Sequence, residues 1–287
     1  MFFLKLIMSF GICFVAQLLW SKSALAWGPG VHTVTALSVL DEIELVLPAI
    51  GRIITSFPLQ YLYGCLSADF FIGKTKRTDA QHLHNWKGGF TLISRAHGDR
   101  EAAYAYGFLS HLAADVIAHN FFIPNLIESY PIRSRIGHLY WETKADYFVG
   151  PEYIKTAREV LAMEHRGCDG LLKLSVGKGK NGLKAKKRVF TQSVKLSDYV
   201  CATHPMLFEG KVIRWQVFHE YLLFMLDLSC QLVKDFLKHP ESSVCLLYDP
   251  MGKQRLHLAK RKRFSISPLR RRRPIQRFTV DQKLLEL

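Results

Sequence analysis

The chain has 287 residues, of which 49% are hydrophobic, and carries a formal net charge of +15. That apolar share is enough to bury a full core, which excludes a largely disordered chain and favours one sizeable domain with appendages. The charge is uneven: residues 173–188 hold seven basic side chains and no acidic one, and residues 251–287 hold twelve basic against two acidic.

The first 26 residues read as a targeting segment. Lys5 gives a positive start, Leu6 to Trp20 an uncharged apolar run, and Ala24-Leu25-Ala26 the small residues that signal peptidase needs. Cleavage there predicts an exported protein, periplasmic or extracellular, beginning at Trp27. Cys13 leaves with that segment, so five cysteines remain (Cys65, Cys168, Cys201, Cys230, Cys245); none forms a C-x-x-C pair, which argues against a structural thiolate zinc site.

Downstream, apolar residues recur at helical spacing from Val31 to Leu47, where Pro48 stops the pattern. Gln60 to Phe71 reads as a short buried helix, Lys74 to Gln81 as a loop, Trp86 to Ala96 as a helix, and Asp99 to Phe122 as a long helix ending before Pro124. Gly137 to Val149 and Glu152 to Met163 follow, separated by Gly150-Pro151. After a basic loop come Ser193 to Ala202 and a long amphipathic stretch from Val212 to Leu237. No two-residue alternation bounded by hairpin turns is found, so the predicted fold is all-α, a multi-helix bundle over residues 27–240. Residues 241–287 lack apolar periodicity and read as a solvated basic tail, a candidate for peripheral contact with an anionic membrane or with nucleic acid.

His111, Asp115 and His119 lie four residues apart in turn, which places all three on one face of a helix. Imidazole and carboxylate are the ligands zinc takes in hydrolytic sites, and a carboxylate among small apolar residues needs a cation to offset its desolvation. His138 and Glu142 repeat the spacing on the next predicted helix. Asp69 and either His82 or His84 stand upstream, and cleavage after Ala26 would free the α-amine of Trp27, five residues before His32, as a further ligand.

Taken in order, Trp27, His32, Asp69, His84, His111-x3-Asp115, His119 and His138-x3-Glu142 resemble the motif of the zinc-dependent phospholipase C family and its relatives, the fungal single-strand-specific nucleases and the N-terminal domain of glycosylphosphatidylinositol phospholipase D. The resemblance implies a helical bundle around three zinc ions. Asp69, His84, His111 and Asp115 would hold the first, and Asp115 would bridge to a second held by the Trp27 amine and carbonyl and by His32. His119, His138 and Glu142 would hold the third. It also implies hydrolysis of a phosphodiester, of phospholipase C or D type, by metal-activated water that Asp69 positions or deprotonates, with a phospholipid as substrate. A nuclease of the same fold, and a non-catalytic membrane-associated binding protein, are the alternatives.

Overall fold

A computed structural model describes residues 27–71, 83–130, 134–176, 182–204, 208, 215–262 and 277–287, and among them every regular element is helical. The targeting segment, the Lys74 to Gln81 loop and His82 lie outside the described residues. No described helix is long and apolar enough to cross a membrane.

The elements are α1 (Pro29–Asp41), α2 (Pro48–Ser56), α3 (Pro58–Ser67), α4 (Trp86–Ser94), α5 (Asp99–Ile117), α6 (Ile123–Ser129), α7 (Ser134–Val149), α8 (Pro151–Ala162), α9 (Arg166–Val176), α10 (Leu183–Thr203), α11 (Trp215–Lys238), α12 (Lys253–Lys262) and α13 (Gln282–Leu285). Five of them, α1, α2, α3, α6 and α8, carry proline in the first helical positions, and in all but α6, which continues a preceding turn, the missing N–H leaves no hydrogen bond unmade. Pro48 therefore opens a helix where the sequence suggested only a stop. Asn85 caps α4, its side chain accepting from Gly88 N at 2.8 Å.

Helix α5 is the axis of the molecule. Every residue from Gly107 to Ile117 is buried, as expected of a helix apolar on all sides. Helix α3 crosses it in very close contact because glycines meet there: a Cβ on Gly64 would lie 2.1 Å from Tyr104 O, and one on Gly107 2.0 Å from Tyr61 O. Helix α11 packs on the same axis, and α1 lies among α3, α8 and α11.

Three sequence expectations are corrected. The predicted end before Pro124 is a change of helical pitch: residues Ala118–Phe122 form a π turn, in which Ile123 N donates to Ala118 O, and α6 then continues with Pro124 in its first turn. Proline cannot donate to the carbonyl four residues back, and Asn120 O instead receives Arg255 Nη1 at 3.3 Å. The basic loop is helical over 166–176 and again from residue 183, so that the short helix expected over 193–202 is the 21-residue α10. The stretch read as a solvated tail contributes Cys245, Leu256, Ala259, Phe278 and Leu284 to the core. These anchors are few and far apart, and Leu256, Ala259, Phe278 and Leu284 each stand beside a basic residue, so no apolar periodicity shows. The five described cysteines are buried and free.

Candidate metal centre and its cleft

The site is assembled from five places in the chain: the start of α1, the turn after α3, the approach to α4, the C-terminal half of α5 with its π turn, and α7. All nine residues singled out from the sequence are buried, none more than 6% exposed. Asp69, His84, His111 and Asp115 offer ligand atoms that lie within 4.8 Å of one another. Of the two histidines offered by the sequence, His84 lies in this cluster, with its Nε2 3.2 Å from Asp115 Oδ2 and 3.0 Å from His111 Nε2, while His82 is outside the described residues.

The others surround this core. His32 Nε2 is 3.4 Å from Asp115 Oδ1, and its ring stacks on His111 with centroids 3.8 Å apart. His119 Nε2 lies 3.7 Å from Asp115 Oδ2. His138 Nε2 and Glu142 Oε1 are 3.2 Å apart on α7, and the His138 ring is 5.8 Å from that of His119. The Trp27 indole is held against α5, donating to Ala114 O at 3.2 Å and Ser229 Oγ at 3.1 Å.

These groups suit a cation better than they suit each other. Both carboxylate oxygens of Asp115, His32 Nε2 and both ring nitrogens of His119 are buried without a hydrogen bond. Orphaned polar atoms of this kind are costly, and five in one pocket require something to bind them. His111 Nδ1 is engaged with the Cys65 carbonyl at 2.7 Å, which fixes the tautomer and turns the Nε2 lone pair toward the cluster. His84 and His111 then point two nitrogens at each other across 3.0 Å, an arrangement that needs a proton or a metal between them.

The sequence model of zinc-dependent phospholipase C matches residues 31–174, half the chain, and spans every motif position except Trp27. The chain belongs to the zinc-dependent phospholipase C family. No curated protein and no solved structure matches it. Family membership makes zinc the metal to which the His and Asp donors are suited.

Electrostatics of this phospholipase C-family site follow from burial. Burial works to lower the pKa of His111, but Asp115 and Asp69 beside it prevail and push it up to about 10. Burial likewise works to raise Asp115, yet the charge of His111 and the contacts of His32 and His84 hold it well below the usual carboxylate range. Desolvation lowers His119 to about 4, and raises Glu142 well above its usual value, helped by Asp69, Asp146 and Asp115.

Asp146 is the site residue that the sequence reading missed. It continues the His138, Glu142 spacing by one more turn, which was the available signal. Its Oδ1 accepts from Val31 N at 3.0 Å, and its carboxylate packs so closely on the chain that a Cβ on Gly28 would meet Oδ2 at 2.3 Å. Asp146 thus seats the first turn of α1, and with it Trp27 and His32. Burial raises its pKa to about 7.

A cleft opens beside the cluster. Trp27, Asp69 and Glu142 reach it from the metal side, and Leu139, Val194, Leu196 and Val200 supply much of its wall. Helix α10, unforeseen in its full length, forms the outer side.

Proposed function

We propose that this protein is an exported phosphodiesterase of phospholipase C type, matured by cleavage after Ala26 and acting on phospholipids with three zinc ions. The carrying observation is that the buried cluster meets the cleft through Asp69, with Trp27 and Glu142 beside it. Bound zinc would supply a Lewis acid and lower the pKa of water. Asp69, His84, His111 and Asp115 would hold one ion, Trp27 and His32 would share Asp115 with a second, and His119, His138 and Glu142 would take a third.

The chain's own groups divide the remaining work. Asp69 is the carboxylate that belongs to both the cluster and the cleft, so it can orient a water toward a phosphorus atom and accept its proton. The aliphatic wall excludes water and accommodates acyl chains. Stacked bases would need aromatic faces, but the two aromatic residues in the described lining are committed elsewhere: Trp27 packs on Phe122 at 4.5 Å and Phe190 on Phe70 at 5.3 Å. This favours lipid over nucleic acid.

The test is elemental analysis of secreted, N-terminally sequenced protein, followed by assays on phospholipid and single-stranded DNA. Two to three zincs on a chain starting at Trp27, with release of a phosphorylated head group, is the expected result. Zinc-free protein of that N-terminus would move the reading to a binding role, and cleavage of DNA alone would make it a nuclease.

A further inference from the structure

Helix α10 has three faces. Leu183, Phe190, Val194 and Cys201 are buried in the bundle. Ser193, Leu196, Ser197 and Val200 line the cleft. The third face carries Lys184, Arg188, Gln192, Lys195 and Tyr199, all exposed, at steps of three and four residues that align them along the helix.

The exposed stripe is basic and has little to offset it. The one acidic residue of α10, Asp198, is already paired with Arg158, and Lys187 is turned aside to Asp169 at 2.8 Å. Tyr199 stands among the charges at 53% exposure, its ring 6.2 Å from that of His204, and Val189 stands beside them at 39%. By helical geometry Val189 and Leu196 lie between the stripe and the cleft face, so the apolar surface runs from the outside of the helix to the cleft.

We infer that α10 is a membrane-docking lip, a helix whose basic stripe rests on an anionic lipid surface and brings the mouth of the cleft to the bilayer. Positive side chains meet the lipid phosphates, Tyr199 and Val189 enter the interfacial layer, and a lipid lifted past Leu196 meets the aliphatic wall before it reaches Asp69. The apolar groups interleaved with the charges favour a lipid surface over nucleic acid as the polyanion. This inference rests on the phospholipase reading and deepens it, since it makes the substrate an aggregated lipid and not a dissolved monomer.

The experiment uses the processed, zinc-loaded full chain and the triple variant Lys184→Gln, Arg188→Gln, Lys195→Gln. Binding is measured by sedimentation with vesicles of equal parts phosphatidylcholine and phosphatidylglycerol, and with pure phosphatidylcholine vesicles. Hydrolysis is measured on vesicle lipid and on a short-chain phosphodiester dissolved as monomers. Each basic residue near an anionic surface strengthens binding about fivefold, so the triple variant is expected to bind the mixed vesicles about a hundredfold more weakly. Vesicle hydrolysis should fall with it while monomer hydrolysis stays unchanged. Unaltered vesicle binding by the variant would overturn the inference, as would wild-type binding to a single-stranded oligonucleotide but not to vesicles. Failure of the wild type to cleave the monomer would count against the phospholipase reading instead, since vesicle binding is read independently of turnover.

Discussion

Asp115 has neighbours on every side of its carboxylate, with His32, His84, His111 and His119 all within 3.7 Å. Asp115→Asn removes a charge that offsets a metal dication and leaves His84 and His111 with Asp69 alone as their anionic partner. It is expected to lose zinc by elemental analysis and to reduce turnover by at least about a hundredfold; retention of both zinc and turnover would refute its central role. The metal-free site also stores protons. His111, raised to about 10 by Asp115 and Asp69, is protonated at neutral pH and must lose that proton to ligate, and burial favours the protonated form of Glu142 in the same direction. Zinc uptake should therefore release at least about one proton, from His111, and affinity should fall by about tenfold or more for each pH unit of acidification. Calorimetry in buffers of different ionisation enthalpy measures this directly. Much of the cluster was legible in the sequence because four-residue spacing on a helix fixes which side chains share a face. Asp146 continues the spacing of His138 and Glu142, but its role runs through the backbone N–H of Val31, and a main-chain partner leaves no mark in a sequence.

At the level of elements, the site depends on how closely α3 can approach α5. The α3 carbonyl chain meets Gly107 and the α5 chain meets Gly64, and in both cases the nearest obstacle to a Cβ is backbone, which cannot swing away. Gly64→Ala and Gly107→Ala should each cost about 1–3 kcal/mol in urea unfolding. Gly170→Ala, in α9 with nothing within 4 Å of its Cβ, should instead stabilise by about 0.5–1 kcal/mol through helix propensity. Opposite signs for the helical glycines are the outcome to look for. The all-α class and the long helix through residue 117 could be read from periodicity. Helix α10 could not be read in full, because Lys184, Lys186, Lys187 and Arg188 crowd its first two turns and mask the widely spaced core residues Leu183 and Phe190. The π turn escaped as well: Pro124 signals an interrupted helix, but the sequence does not show that Arg255 satisfies the carbonyl it leaves behind.

Across the whole molecule, the far end of the described chain supports the site. The Arg255 guanidinium lies 4.3 Å over the Phe121 ring as well as bonding Asn120 O, and Gly252, at φ +54°, packs against the His119 carbonyl where a Cβ would come within 2.3 Å. Asn120 Nδ2 reaches across to Asp249 O at 2.9 Å, and Asn125 binds Phe278 through both its amide groups. Arg255→Ala should lower stability by about 1–2 kcal/mol and, by loosening the π turn that presents His119, weaken zinc retention against a chelator. Unchanged chelator resistance in a destabilised protein would separate the two effects and show the support to be structural only. The composition of this C-terminal stretch suggested a solvated appendage, because charge dominates it and the few anchoring residues are far apart. The π turn gives the protein a clock. Asn120 leaves the ribosome more than a hundred residues before Arg255, so a growing chain carries its ligands long before the groups that hold them in place, and a partly made copy is an unfinished tool.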